Sequence, residues 1–376
     1  MLTADDMTPS GTLGREESET LDALQPIRTV DLDEVSAATW DAVVPEDRRT
    51  PMNLRVWSDI SLKSYGVRDK SKIILVGDAE RPEALIPLMR RRDAIGWYSL
   101  LGNEGGGVEI PRRSEAAIPA IARALIGFGA PITLGDYPAH SPLIPALRDE
   151  ARGRALVLTR PLPGLAKPWL NLDTTWTDPS QHLKKKTAQS IRRRERRLTE
   201  LGKLETAFLT PSVSDVDALL DTALAIEASG WKSRAGVALA TDPQQESFFR
   251  FYCRTLAEHG RLHLTFLDLD GKSIAMSIGE LYGGTYWAHK TAYDEDYRKY
   301  APGILKQFYL LRELAGKGVS RIDFQGRLDD FKRTWTDQGV EATKVRIYSF
   351  TPRGALALAC DAGRQAGSMW TARRPT

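Results

Sequence analysis

Apolar residues recur along the chain in two periods, and the changes of period mark out its elements. Apolar runs at Lys72 to Gly77, Ala84 to Arg90 and Trp97 to Leu101, set apart by turn residues, predict strands. From Ser114 to Phe128 the spacing becomes three and four, with Ile118, Ile121 and Leu125 on one face, and Gly129 ends the predicted helix. A strand at Ile132 to Asp136 and a helix started by Pro142 close a first unit near Gly153. The run RPLPGLAKPW, with Pro161, Pro163 and Pro168, breaks both periods and predicts a crossing between units, which places the first over 27–165 and the second over 166–350.

The second unit opens with Asp178, Pro179 and Gln181, a cap, a first-turn proline and a side chain able to return the cap's hydrogen bond. No Gly or Pro interrupts the chain from there to Leu201, so the pattern predicts one helix over 179–202. Leu183, Ile191, Leu198 and Leu201 form its narrow apolar stripe, and KKK and RRRERR fill the remaining faces. A strand (Leu204 to Leu209), a Ser214-capped helix to Gly230 and a helix from Asp242-Pro243 to Gly260 follow. RLHLTFLDL, SIAMSIGEL and TYWAHKT are joined by Asp270-Gly271 and Gly283-Gly284, the pairs that two-residue hairpin turns require, and predict an antiparallel meander. The loop AYDEDYRKYAP leads into a helix from Gly303, then a strand (Val319 to Phe324), a short helical piece (Leu328 to Trp335) and a last strand (Lys344 to Phe350). Residues 351–376 are expected to form a tail or helix.

Composition changes this picture in three ways. A chain of 376 residues with 42% hydrophobic content has room for two domains and is neither a peptide nor a mostly disordered protein. Its net charge of +3 hides a strong asymmetry: residues 1–26 carry −5 and are expected to be a disordered acidic tail, and residues 181–203 carry +7. No apolar run approaches the ~18 residues that span a bilayer, and the start lacks a signal-peptide pattern. The expected location is cytoplasmic, with residues 184–203 suited to an anionic membrane surface on its inner face. Cys253 and Cys360 are expected to be reduced packing residues, and no metal site is predicted.

A strand that feeds through a loop into a helix presents unpaired amides and the positive end of a helix dipole. Here Arg298, Lys299 and Tyr300 precede Pro302-Gly303, which suits the pyrophosphate of a ligand, although a solvated helix start reads the same way. The order of elements over 204–350 resembles the GNAT acyltransferase fold. The strings EASGWKSRAG, FYCRTLAEHGRLHLTFLDLDGKSIA, HKTAYDEDYRKYAPG and DFQGRLDDFKRTW are similar to the acyltransferase domain of CelD-type and Fem-type proteins. That resemblance implies an α+β chain of two tandem GNAT-like domains, each a mixed, mostly antiparallel sheet flanked by helices. It implies that Arg298 to Gly303 cradles coenzyme A, although R-K-Y-A-P-G departs from the family loop of an Arg or Gln followed by two small residues at spacing two. It also implies an N-acyltransferase with acyl-CoA or an acyl-carrier-protein thioester as co-substrate and no permanently bound cofactor. The acceptor would be a primary amine of an envelope lipid or sugar precursor, specifically a sphingoid base; the Fem branch would instead use an aminoacyl-tRNA. A non-catalytic module gripping nucleic acid or membrane is the alternative of another class.

Acyl transfer to an amine needs a group to remove its proton and cations or donors for the developing oxyanion. His289 is a candidate base and Lys290 a candidate for the oxyanion; strand alternation would let only one of them face the ligand. Asp294 precedes the phosphate loop and could accept the proton or cap the turn. Glu227 sits at a helix C-terminus, where a carboxylate opposes the dipole, and Asp323 ends a core strand, where Lys332 could pair with it. Trp231, Lys232, Tyr293, Tyr297, Lys332 and Trp335 are candidate substrate contacts. Seven aromatics lie between Tyr286 and Tyr309, which suits an acyl-chain slot or, equally, core packing.

Overall fold

The computed structural model describes residues 25–66, 70–91, 93–101, 109–229 and 242–372, with side chains to 364. The expected acidic tail lies outside them up to residue 24. The first half runs β1 (Ile27–Val30), α1 (Ala37–Asp41), α2 (Arg55–Tyr65), β2 (Ser71–Gly77), β3 (Pro82–Arg90), β4 (Tyr98–Leu100), α3 (Ile118–Gly127), β5 (Ile132–Pro138), α4 (Leu143–Glu150) and β6 (Ala155–Ala166). The second runs β7 (Trp169–Asn171), α5 (Lys185–Thr199), β8 (Leu204–Leu209), α6 (Val216–Ser229), α7 (Pro243–Glu258), β9 (Leu262–Leu269), β10 (Lys272–Tyr282), β11 (Thr285–Tyr293), α8 (Pro302–Gly316), β12 (Arg321–Asp323), α9 (Asp330–Arg333), β13 (Val340–Ser349) and α10 (Pro352–Ala372).

The strands form two sheets, ordered β1-β2-β3-β4-β5-β13-β6 and β7-β12-β11-β10-β9-β8. Each contains one parallel pair, β4 with β5 and β11 with β12, among antiparallel neighbours. The meander forms as its turns dictate. Asp270 and Gly271 sit at φ 49° and 76°, and Gly283 and Gly284 at 58° and 71°, the left-handed values that a two-residue hairpin turn demands.

Three expectations are corrected. RPLPGLAKPW is not a linker: most of it is β6, which pairs only with β13 and ends the first sheet, where prolines lack no ladder hydrogen bond. The chain crosses between sheets just afterwards, at Lys167-Pro168. The last strand, expected in the second unit, is inserted in the first sheet between β5 and β6. The basic segment is not one helix over 179–202. Pro179–His182 is a single 3₁₀ turn capped by the Asp178 carboxylate, Leu183 and Lys184 are extended, and α5 starts only at Lys185.

The core has three main parts. α3 and α4 cover one face of the first sheet through Ile121, Leu125 and Leu147. α8 and α5 cover the second sheet through Leu305, Leu311, Ile191 and Leu198. Between the units, Met52, Trp57 and Ile60 of the first pack into Phe248, Tyr252 and Leu264 of the second. Trp57 meets Phe248 and Tyr252 edge-on, with centroids 4.9 and 4.8 Å away, so one aromatic cluster joins the halves. Buried Cys253 belongs to this core, and burial pushes its thiol pKa up. No described helix is long and apolar enough to cross a membrane.

One glycine is required by the core itself. A Cβ on Gly279, in the middle of β10, would overlap the phenol of fully buried Tyr286. Gly279→Ala is therefore expected to lose about 1–3 kcal/mol by overpacking, read as a lower urea midpoint at unchanged slope.

Candidate active site

β11 is the element on which the site is built. β12 pairs with only its first three residues, Thr285 to Trp287. Beyond that point β12 has ended, and residues 288–293 line a cleft of about 1140 Å³ that opens between the two strands. The far end of the cleft is the start of α8, through Ala301, Gly303 and Ile304. Trp57 and Tyr65 of the first unit complete its walls with Phe248 and Phe249.

Strand alternation would send His289 and Lys290 to opposite faces, yet both line the cleft. The register explains this: Ile278 pairs with Lys290 and Gly279 with Ala288, so His289 is the extra residue of a β-bulge. A bulge re-aims the side chains around it. Lys290 Nζ donates to Gln245 Oε1 at 3.1 Å and lies 4.9 Å from the Phe249 ring centre.

The His289 side chain is 3% exposed, its ring 5.7 Å from that of Trp57 and 5.5 Å from that of Tyr252. Nε2 lies 3.1 Å from Glu280 Oε2, which also accepts the Tyr252 hydroxyl at 2.6 Å, and Arg261 donates to Oε1. Glu280 is fully buried. Burial opposes its ionisation most strongly, but the hydrogen bond and charge of His289, the Arg261 guanidinium and the Tyr252 hydroxyl together outweigh it and hold the carboxyl below its ordinary range. With Nε2 held by a carboxylate, Nδ1 is the ring nitrogen left to accept a proton.

At the other end, Ala301 takes a left-handed conformation (φ 48°) immediately before Pro302. Pro302 has no N–H, and the amides of Ile304 and Leu305 already bond the Ala301 carbonyl at 3.0 and 3.3 Å. The Gly303 amide therefore remains for a ligand, beside the exposed Arg298. Lys306, one turn on, is fully buried and lines the same cleft, its Nζ 3.0 Å from Thr291 Oγ1. Gln325, at φ 56° and buried, is a further left-handed residue of the lining. Non-glycine residues held there are strained, and such strain gathers at functional sites.

Of the residues expected from sequence, the cleft brings together Glu227, His289, Lys290, Tyr293, Arg298, Gly303 and Lys332. Trp231 and Lys232 lie outside the described residues. Lys299, Tyr300 and Pro302 do not line the cleft: Lys299 Nζ lies over the Tyr300 ring, and Tyr300 and Pro302 are buried. Asp294 is also off it, capping the following turn through Asp296 N–H at 3.1 Å and bonded to Lys272 Nζ at 2.8 Å. Tyr297 sits under Lys272, and Trp335 is core. Asp323 holds the Gln325 turn from below, accepting the Gln325 N–H at 2.8 Å. Its expected partner is corrected. Lys332 donates to the carbonyls of Gln325 and Arg327 at 2.9 and 2.7 Å, and the charges that reach Asp323 are chiefly that of Lys167 and then that of Arg321. Burial is the larger influence and raises the Asp323 pKa. Of the seven aromatics between Tyr286 and Tyr309, Tyr293 alone lines the cleft.

Sequence reasoning missed Trp57, Gln245, Lys306 and Gln325. Lys306 looks like any solvated helix lysine in GILKQFYLL, although its place between Leu305 and Gln307 on a helix buried on several sides was a readable signal. Trp57 comes from the other unit, which no local pattern can show.

Residues 185–333 match a family model described as an acetyltransferase (GNAT) domain. This stretch forms a GNAT-type acyltransferase domain. It spans α5 to α9 and holds every cleft residue except those lent by the first unit. The whole chain is similar in fold to a conserved protein of unknown function from Bacteroides thetaiotaomicron (13% identity, 86% of this chain and 99% of that one, TM-score 0.55). It is likewise similar to FemX (11% identity, 85% and 96%, TM-score 0.53). A tandem GNAT protein from the clavulanic acid biosynthesis pathway aligns over 87% of this chain and 99% of its own at 13% identity, with a TM-score of 0.43. No curated protein matches the sequence. Residues 185–333 are thus the GNAT-type acyltransferase domain of an α+β chain whose two sheets share one plan, four successive antiparallel strands followed by a parallel fifth. Among the described residues no group of three or more His, Cys, Asp or Glu side chains is placed to hold a metal ion.

Proposed function

We propose that the cleft transfers an acyl group from an acyl-CoA, or the equivalent carrier-protein thioester, to a primary amine. The observation that carries this reading is the open edge of β11 from residue 288 to 293, running from the His289 bulge to the Gly303 amide. The diphosphate of the donor sits at the start of α8 against the Gly303 N–H and Arg298. Its pantetheine arm lies along the β11 edge as an added strand would, bonding backbone groups that β12 leaves unpaired. That course delivers the thioester carbonyl beside His289.

A free alkyl ammonium has a pKa near ~10 and must lose a proton before it attacks. His289 Nδ1 accepts it, and Glu280 stabilises the imidazolium through Nε2. The nitrogen then adds to the carbonyl carbon and the Lys290 or Lys306 ammonium supports the oxyanion; as the carbon–sulfur bond breaks, the surplus proton on the added nitrogen passes to the leaving sulfur, which departs as the thiol, and the imidazolium later returns its proton to solvent. The acceptor we assign is a long-chain amine of the sphingoid type. Trp57, Phe248, Phe249, Phe324 and Phe331 give the cleft the apolar surface such a chain needs.

A second reading, an aminoacyl-tRNA donor, is favoured by α5. Lys185, Lys186, Arg192, Arg193, Arg196 and Arg197 are exposed there, with Lys184 just before them, and Tyr309 of α8 bonds Glu195 to hold that helix beside the donor site. The same bases would also suit an anionic membrane surface.

The test is incubation of the purified protein with acyl-CoAs of several lengths and a panel of amines including sphinganine, following thiol release and product mass. Thiol release with a lipophilic amine, unaffected by RNase, is the expected result. Amino-acid transfer abolished by RNase would replace it with the second reading, and no thiol release with any amine would overturn the first. Gly303→Val, crowding the amide and the Tyr293 ring 3.4 Å from the new Cβ, is expected to raise the donor KM by roughly tenfold, the effect of losing one hydrogen bond to a charged group.

A further inference from the structure

The first sheet carries a cavity that the transfer reaction does not use. It holds about 440 Å³ on the face opposite α3 and α4. Ile132, Leu134, Val345 and Ile347 point into the core beneath those helices, so the alternating residues Thr133, Gly135, Lys344 and Arg346 point the other way and floor the groove. α10 supplies one wall through Asp361 and Arg364.

Its charges do not balance. Five lining residues are cationic and three are acidic, and each acid is already engaged. Asp361 accepts from Arg346 and from the Tyr348 hydroxyl at 2.6 Å, and Asp136 accepts from Arg327. Asp93 accepts the amides of Gly96 and Trp97 at 2.5 and 3.2 Å, with Arg91 at 3.8 Å. Lys344, half-buried, and Arg364 have no ion pair among the described residues. The hydroxyls of Ser99 and Thr133 line the same space. A set of cations and hydroxyls with its carboxylates occupied matches a compact anion rich in acceptor oxygens.

The groove also abuts the transfer cleft. β5 has an extra residue opposite β13, where Thr343 pairs with Tyr137 and Val345 with Leu134, and Asp136 within that bulge sits at φ 47°. Asp136 lines both cavities, and its partner Arg327 lines the groove, so this ion pair stands where the two adjoin.

We propose that this groove binds a phosphomonoester or phosphodiester, held by Lys344 and Arg364, on a molecule whose remainder reaches the transfer cleft past Asp136. The binding rests on the first sheet and α10; only its link to the acceptor rests on the acyltransferase reading.

Calorimetric titration of the full-length protein with inorganic phosphate and glycerol phosphate, and flotation with vesicles of phosphatidylglycerol or of phosphatidylcholine, test it without reading thiol release. The result therefore stands whether or not amine acylation does. We expect saturable binding of at least one phosphate probe, weakened about tenfold or more in Lys344→Ala/Arg364→Ala, the effect of removing charge-assisted bonds. Lys317→Ala, just past the end of α8, exposed and outside both cavities, is expected to leave that binding unchanged. Glycerol phosphate binding points to a soluble ligand, and binding to phosphatidylglycerol vesicles alone, weakened in Lys344→Ala/Arg364→Ala, points to a lipid headgroup. No binding of any phosphate probe, equal binding by the Lys344/Arg364 variant, or equal loss in the Lys317 variant would overturn the proposal. Should the alanine variant melt early, Lys344→Gln/Arg364→Gln keeps the side-chain bulk and is expected to show the same loss.

Discussion

Replacing His289 by alanine is expected to lower kcat by about 10²–10⁴-fold, the usual contribution of a positioned general base, with the donor KM little changed. The imidazole lies beside the open edge of β11, and the diphosphate contacts we propose lie at the other end of that strand, so donor binding and proton removal are separable. The space left between Trp57, Tyr252 and Glu280 is lined by the same partners that fixed the original ring. Added imidazole is therefore expected to restore part of the rate. A kcat equal to that of the unaltered enzyme would mean that His289 is a packing element between Trp57 and Glu280 and that the amine loses its proton elsewhere.

Glu280→Ala is the change expected to damage the fold most, by about 3–5 kcal/mol, because it leaves a guanidinium, an imidazole and a phenol without the one acceptor they share in a closed interior. Denaturant titration checks it. Glu280→Gln keeps the volume and isolates the charge. Interactions hold the folded carboxyl below its unfolded value of 4.5, so its contribution is fully present above that pH and is lost as pH falls through the depressed folded value. The stability of the unaltered protein should thus fall more steeply than that of Glu280→Gln as pH is lowered below about 4.5. Parallel curves would show that the carboxyl is not held ionised by its neighbours.

The parts of the site that a sequence can announce are those set by local geometry. Asp270-Gly271 and Gly283-Gly284 fixed both hairpins, because left-handed residues in pairs have few other uses, and Asp242-Pro243 fixed the start of α7. The Gly303 helix entrance was legible for the same reason. What remained hidden depended on partners far along the chain. The His289 bulge is a mismatch of register between β10 and β11, and neither strand carries a sign of it. Glu280, the anchor of the histidine, reads in SIAMSIGEL as an ordinary outward-facing acid. β13 has strand character in sequence but nothing that says which sheet it joins, and the prolines of β6 look like a linker until an edge position makes them harmless.

The placement of β13 bears on how the molecule comes to exist during synthesis. The first half emerges from the ribosome with a gap between β5 and β6 that only residues 340–349 fill. It must therefore wait, with hydrophobic strand faces incompletely covered, until residue 349 has been made. Domain-by-domain maturation, the habit of most two-part chains, is closed to this one. Cutting the gene at the obvious midpoint should yield two insoluble halves that regain solubility only when produced together.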